Sequence, residues 1–351
     1  MLSIAMSDPG TRGVRRLAAA AARHLPVMGR VIHQRNRLAA ELAATQSRLR
    51  EREALLQSRD EELGRLRELL GGGARAVQFV PLGHYYSPVP SLEEIERDRA
   101  RLFGPPPREL PGIELNEQGQ LELLRSFANL YQELPFPIDR EPGLRYWFDN
   151  PSYSYSDAIF LYCMLRHARP RRIVEVGCGY SSCVILDTNE RFLGDRARCT
   201  FVDPYPDLLL DLLREGDLAR VRLLRSRLQD VPLKEFLGLE ANDVLVVDST
   251  HVAKVGSDVQ HLFNEILPRL RSGVYVHFHD VFYPFEYPEE WIREGRAWTE
   301  AYLLRAFLAF NREFEIVAFN TYLERFHRQW FERHMPLCLR NEGASIWLRR
   351  R

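Results

Sequence analysis

The sequence has no long apolar run and no net charge. No stretch approaches the roughly 20 consecutive apolar residues that a transmembrane helix needs, and the N-terminus lacks the uninterrupted hydrophobic core of a signal peptide. Its 48 basic residues balance 48 acidic ones, so no overall positive field favours nucleic acid. We therefore expect a soluble, cytoplasmic protein that acts on a small molecule and not on nucleic acid.

The sequence also has few cysteines and almost no lysine. The five cysteines show neither CxxC spacing nor the density of a disulfide framework, so reduced thiols are expected. Lys234 and Lys254 are the only lysines. The remaining composition, 45% hydrophobic and 27% charged, is that of a globular protein with one large domain and an appendage.

Two segments are predicted in the N-terminal part of the chain, a basic segment and a coiled-coil helix. Residues 1–30 form a basic segment, for which a solvated tail is favoured over a helix lying on an anionic membrane surface. Residues 31–73 predict a coiled-coil helix, because five leucines recur at heptad spacing: Leu42, Leu49, Leu56, Leu63 and Leu70. Thr45, Arg52 and Arg59 weaken this seam at the partner positions, which leaves open a homodimer or packing against the protein's own body.

Residues 74–146 are a proline-punctuated arm that we expect to cap the following domain. Short helices are predicted within it at Ser91–Leu102 and Gln118–Glu133. Just beyond the arm, Asp157 is predicted to be the N-cap of a helix over Ala158–His167.

Residues 147–351 alternate β-type apolar runs with helical segments. This alternation predicts a Rossmann-like, doubly wound α/β sheet of seven strands, in which the last strand is antiparallel. The predicted strands are Arg172–Val176, Cys199–Val202, Val221–Leu224, Asp243–Val247, Gly273–Phe278, Phe314–Phe319 and Ala344–Leu348.

The first predicted strand ends in a glycine turn, Glu175-Val176-Gly177-Cys178-Gly179-Tyr180-Ser181-Ser182. Glycines at this place let the backbone approach a ligand at the start of the next helix. A nicotinamide-binding loop would carry a third glycine where Ser182 stands. The second strand ends at Asp203, where a carboxylate can accept hydrogen bonds from both ribose hydroxyls.

In this order of motifs the sequence resembles class I S-adenosylmethionine-dependent methyltransferases, from roughly residue 147 to the C-terminus. The resemblance implies that the glycine turn contacts the methionine end of S-adenosylmethionine and that Asp203 holds the ribose. It also implies that Gln229 or Asp230, after the third strand, contacts adenine. The cofactor-binding residues implied in the turn are Glu175, Gly177, Gly179, Ser181 and Ser182.

Polar residues after the fourth and fifth strands point to one branch of this family. Asp248 and His251 follow the fourth strand, and His279 and Asp280 follow the fifth. The pattern resembles that of metal-assisted O-methyltransferases acting on catechols and macrolide sugars. The resemblance implies a divalent metal, magnesium or manganese, held by Asp248, His279 and Asp280. Because His279 replaces an oxygen ligand, magnesium is placed in doubt, and manganese, iron or no metal stay open.

Several alternatives remain open from the sequence. In a metal-free arrangement, His251 would act as the catalytic base beside Asp248. The domain could instead bind S-adenosylmethionine without catalysis, as part of a coiled-coil scaffold, or belong to a nicotinamide-dependent oxidoreductase. The aromatic segment Phe282–Pro288, with Trp291 and Trp298, either forms a wall for the acceptor or packs the cap onto the core.

Overall fold

Seven apolar segments of the chain pair into one sheet in the structure, a computed structural model. The structure describes residues 79–351 and, before them, eleven helical positions between residues 34 and 62. The chain divides into two compact units, residues 1–81 and residues 82–351.

In the first unit, the heptad positions Leu42, Leu49 and Leu56 are helical and more than half exposed. The basic segment of residues 1–30, Leu63 and Leu70 lie outside the described residues. Dimerisation through the leucine seam therefore stays a prediction. Across the part of the chain that the structure describes, no helix is both long and apolar enough to cross a bilayer.

The sheet of the second unit has the strand order β3-β2-β1-β4-β5-β7-β6. Strands β1 to β5 are parallel, and β7 runs antiparallel to both β5 and β6. The predicted doubly wound sheet and its antiparallel final strand are therefore confirmed. The strands are Arg172–Val176 (β1), Arg198–Val202 (β2), Arg222–Leu224 (β3), Val244–Val247 (β4), Tyr275–His279 (β5), Phe314–Phe319 (β6) and Ser345–Arg350 (β7).

Helices cover both faces of this sheet, and β4 and β5 are buried along their whole length. Both helices predicted in the arm are present and lie in the same compact unit as the sheet. The helices are Leu92–Leu102 (α1), Glu117–Tyr131 (α2), Tyr155–Ala168 (α3), Tyr180–Phe192 (α4), Asp207–Leu212 (α5), Lys234–Leu237 (α6), Asp258–His261 (α7), Glu289–Arg293 (α8), Glu300–Leu308 (α9), Asn320–Phe326 (α10) and Arg328–His334 (α11).

The prediction that Asp157 caps a helix is wrong. Helix α3 begins at Tyr155, so Asp157 lies inside its first turn and is buried. Its carboxylate accepts hydrogen bonds from the Ala344 backbone N–H at 3.0 Å and the Ser345 hydroxyl at 2.7 Å. The Asp157 carboxylate therefore binds Ala344 and Ser345, which are distant in sequence, and does not cap its own helix.

A buried arginine ties the end of the arm to the sheet-covering helices. The Arg145 guanidinium donates hydrogen bonds to Asp187 on α4 and to Asp217, each at 2.7 Å. The side chains of all three residues are at most 4% exposed. The cation therefore compensates the charge of two buried carboxylates, whose other hydrogen bonds come from backbone N–H groups.

We predict that Arg145→Met lowers the free energy of unfolding by about 3–5 kcal/mol, because it leaves two buried carboxylates uncompensated. Urea unfolding followed by circular dichroism measures this change. The control is Arg220→Met, since Arg220 pairs with Asp195 at the surface and both side chains are more than 40% exposed. A similar loss of unfolding free energy in the two variants would contradict the stabilising role assigned to Arg145.

Candidate functional site

The turn after β1 comes into direct backbone contact with the end of β4. Gly177 has a φ of +79°, and a Cβ atom at this position would lie 1.6 Å from the Asp248 carbonyl oxygen. Its N–H donates a hydrogen bond to the Val202 carbonyl at 3.0 Å. Glycine is required here by both conformation and space, and the contact brings the turn beside the strand end that carries Asp248.

An open cleft of about 520 Å³ lies at this carboxyl edge of the parallel strands. Its walls come from the turns after β1, β2, β3 and β4, at the place where α/β sheets bind ligands. The predicted residues Gly177, Asp203, Gln229 and Asp248 all line it. The Asp203 carboxylate accepts hydrogen bonds from the N–H groups of Cys178 at 3.0 Å and Tyr205 at 2.7 Å, which fix its orientation.

The other predicted cofactor residues of the turn lie behind the cleft wall. Glu175 is fully buried and accepts a hydrogen bond from the Ser182 hydroxyl, which in turn accepts one from the Gly179 N–H. Burial raises the pKa of Glu175 to about 8. Ser181 is also buried. These residues shape the turn, and neither they nor Gly179 are among the residues that line the cleft.

Gln229 and Asp230 are neighbours in sequence with different surroundings. The Gln229 side chain lines the cleft and donates a hydrogen bond to the Gly256 carbonyl at 2.7 Å. Asp230 forms an ion pair with Arg227 at 2.8 Å on the surface and is not part of the lining.

A cluster of two imidazoles and two carboxylates adjoins the cleft. Asp248 and His251 follow β4, and His279 and Asp280 stand at the end of β5, as the sequence predicted. His251 Nε2 lies 3.3 Å from Asp248 and 3.6 Å from Asp280. His279 Nδ1 lies 3.4 Å from Asp248 and 3.6 Å from Asp280. Both imidazoles are buried, whereas the carboxylates are partly exposed.

Two further carboxylates stand behind the imidazoles. Glu300, the first residue of α9, lies 2.9 Å from His251 Nδ1, and Asp157 lies 3.5 Å from His279 Nε2. Sequence reasoning missed Glu300 because it is 49 residues beyond His251, on a helix with no recognisable motif. Each imidazole thus has one nitrogen toward the paired aspartates and the other toward an outer carboxylate.

Four carboxylates surround the two imidazoles, and this excess of acidic groups dominates the electrostatics of the cluster. Burial opposes charge on His251, but hydrogen bonds with Asp248 and Glu300 outweigh it and raise the pKa of the imidazole to about 10. Burial likewise opposes ionisation of Asp248, but the neighbouring imidazoles hold its pKa well below the usual range. The site is therefore built to accumulate positive charge.

The aromatic segment after β5 divides into packing residues and one residue at the cluster. Tyr283, Phe285 and Tyr287 are buried, so they pack the segment onto the core. Trp298 is half-buried, and its ring centroid lies 4.4 Å from that of His251. Of the aromatic residues proposed as an acceptor wall, Trp298 is the one in contact with the cluster.

Comparison with known proteins matches this region to a methyltransferase family. Residues 174–281 match the family model described as "Methyltransferase domain". An uncharacterized protein of Archaeoglobus fulgidus is 34% identical over 170 residues, which cover 47% of this chain and 76% of that protein.

Solved structures with similar folds include the SAH-bound methyltransferase PaMTH1 of Podospora anserina, at 12% identity and a TM-score of 0.38, covering 78% of this chain and 99% of that one. The SAM complex of the O-methyltransferase TomG of Streptomyces achromogenes has 14% identity, a TM-score of 0.35 and coverage of 73% and 96%. The SAH complex of a Bacillus cereus O-methyltransferase has 14% identity, a TM-score of 0.36 and coverage of 74% and 97%.

We predict that Gly177→Ala lowers the free energy of unfolding by about 2 kcal/mol or more, because its Cβ collides with the β4 backbone at an unfavourable φ. Gly179→Ala is the matched control. Gly179 has an extended backbone, and the nearest atom to its Cβ would be a Leu208 methyl group at 3.1 Å, on a side chain that can move. Denaturant titration compares the two variants, and equal stability would count against the close approach.

Proposed function

Because this chain belongs to the same family as the Archaeoglobus fulgidus protein and carries a methyltransferase domain, we propose that it transfers a methyl group from S-adenosylmethionine to a small-molecule hydroxyl. One observation carries the proposal. The cleft that contains Gly177 and Asp203 shares Asp248 with a cluster of acid–base groups. A methyl donor in the cleft would therefore lie next to groups that can handle the proton of an acceptor.

Binding of S-adenosylmethionine is supported by the lining of the cleft. Asp203 presents a fixed carboxylate for the two ribose hydroxyls, and Gln229 offers an amide for the adenine ring. Gly177 lines the cleft, so the backbone of the turn faces the space proposed for the methionine end. Glu175 and Ser182 support the turn through the hydrogen bonds that link them to the Gly179 N–H, and Ser181 is buried beside Ser182.

Methyl transfer requires an acceptor oxygen in line with the sulfonium methyl group, and removal of the proton from that oxygen. In one arrangement the neutral form of His251 takes this proton at Nε2, and Asp248, 3.3 Å away, stabilises the imidazolium that results. Because the surrounding carboxylates raise the pKa of His251, this arrangement requires the imidazole to release its own proton before it accepts that of the substrate. Trp298 packs against His251 and would help exclude water from the reacting groups.

In the second arrangement, a divalent metal would be held by Asp248, His279 and Asp280. The residues fit such an ion, since His279 Nδ1 is buried without a hydrogen-bond partner and faces both carboxylates. When bound, a divalent ion supplies Lewis-acid stabilisation of a hydroxyl as it loses its proton.

The acceptor class we propose is a sugar, polyketide or phenolic hydroxyl.

We expect the wild-type protein to bind S-adenosylmethionine, and Asp203→Ala to weaken binding by about 10- to 100-fold, the effect of losing charge-assisted hydrogen bonds. Isothermal titration calorimetry measures both affinities. Asp195→Ala is the control and should bind as the wild type does, since Asp195 pairs with Arg220 at the surface and neither residue lines the cleft. Absence of binding by the wild type, or native mass spectrometry showing a bound dinucleotide, would overturn the cofactor assignment.

Transfer of a labelled methyl group to oxygen is the test of the reaction itself. We expect the protein to label members of a panel of sugar, nucleotide-sugar and phenolic acceptors, with the new methyl group on oxygen by mass spectrometry and NMR. In the first arrangement His251→Ala should abolish transfer, because this imidazole takes the acceptor's proton, and in the second arrangement removal of the metal by a chelator should abolish it. Labelling only of nitrogen or carbon would contradict O-methylation while leaving the methyltransferase proposal in place.

A further inference from the structure

We propose that Asp248, His251, His279 and Asp280 together form one metal centre, which selects a first-row transition metal over magnesium. In this centre His251 is a fourth ligand, and Glu300 and Asp157 are positioning residues that orient the two imidazoles. The inference deepens the proposed function, on which it rests for its role in the reaction. Metal binding itself can be measured without the methyl donor.

The spacing of Asp248, His251 and Asp280 fits donors around a cation, and His279 faces the same two aspartates. Each aspartate faces both imidazoles, and the four N···O distances lie between 3.3 and 3.6 Å. Most are longer than a good hydrogen bond. Ligands at the usual 2.0–2.2 Å from a tetrahedral ion would be about 3.4 Å apart. Donor atoms of Asp248, His251 and Asp280 lie within 4.8 Å of one another.

A buried nitrogen that makes no hydrogen bond faces the same two aspartates. His279 Nδ1 forms no hydrogen bond, although its side chain is only 7% exposed. A buried polar atom without a partner costs free energy comparable to a lost hydrogen bond. Coordination of an ion between His279 and the two aspartates would satisfy this nitrogen.

The outer carboxylates match the surroundings of metal-binding histidines. Such histidines usually donate the N–H of the second ring nitrogen to a carboxylate, which fixes the tautomer and ring orientation. Glu300 is placed to accept from His251 Nδ1 at 2.9 Å, leaving the Nε2 lone pair toward the aspartates. Asp157 occupies the equivalent position behind His279 and is itself held by Ala344 and Ser345.

The backbone at the centre is held in an unfavourable conformation. His251 and Asp280 have φ values of +58° and +56°, in a region that costs non-glycine residues free energy and occurs often at functional sites. The His251 carbonyl accepts hydrogen bonds from the N–H groups of Thr299 at 2.9 Å and Glu300 at 3.0 Å. Glu300 thus fixes both the backbone and the ring of His251.

Two nitrogen and two carboxylate donors decide which ion is preferred. Magnesium favours oxygen ligands in near-ideal octahedral geometry, whereas imidazole suits zinc, cobalt, iron and nickel. The centre offers two imidazole nitrogens beside two carboxylates. We therefore expect manganese, iron, cobalt or zinc to bind in preference to magnesium.

The experiment titrates chelator-treated full-length protein with Co²⁺, following visible absorption bands of imidazole-bound cobalt, and with Mg²⁺ by calorimetry. We expect one Co²⁺ per chain and much weaker Mg²⁺ binding. His251→Ala and His279→Ala should lose the cobalt absorption bands. Glu300→Gln should weaken the affinity for Co²⁺ by about 10- to 100-fold. His327→Ala is the control, because His327 pairs with Glu117 outside the cluster.

The folded state of each variant is checked by its affinity for S-adenosylmethionine. Wild-type protein that binds S-adenosylmethionine but no Co²⁺, or that binds Mg²⁺ as tightly as Co²⁺, would overturn the metal centre and leave the proposed function standing. Unchanged cobalt bands in His251→Ala would overturn the role of His251 as a ligand. Protein that binds Co²⁺ but no S-adenosylmethionine would support the centre and contradict the proposed function.

Discussion

The contact between Gly177 and the Asp248 carbonyl is the constraint on which the arrangement of the site depends. No side chain fits at residue 177, where a Cβ atom would lie 1.6 Å from that oxygen. The contact places the turn after β1 against the end of β4. Asp248 consequently lines the cleft while its side chain belongs to the histidine–aspartate cluster. One residue therefore joins the surface that would hold a methyl donor to the groups that would activate an acceptor.

The cluster brings ionisable groups together in a region with little solvent, and such groups are stable there only when their charges compensate. His251 and His279 each contact two aspartates and an outer carboxylate, so neither buried imidazole lacks an opposite charge. The same arrangement leaves more carboxylates than imidazoles. That excess of negative charge, open to the cleft through Asp248, is what makes a cation a fitting occupant.

Residues at strand ends could be predicted from the sequence, because a strand is a local pattern and parallel strands end at one edge. Asp203, Asp248 and His279 were located in this way, and the doubly wound sheet with its antiparallel last strand followed from the alternation of strands and helices. Glu300 could not be located, since only tertiary folding brings α9 to His251. Asp157 was misassigned because a carboxylate near a helix start has the same local pattern whether it caps or serves a distant partner.

Under the proposed function, the segment after β5 would connect acceptor recognition to the reacting groups. Trp298, Thr299 and Glu300 are consecutive, and all three contact His251, through its ring face, its carbonyl and its Nδ1. The aromatic residues before them are mostly buried and anchor the segment to the core. A change that moves this segment to fit another acceptor would therefore also move the partner that orients His251. If the segment recognises the acceptor as proposed, chain connectivity would couple specificity to reactivity. Sequence changes in the segment would then be compatible with activity only where Trp298, Thr299 and Glu300 keep their positions against His251.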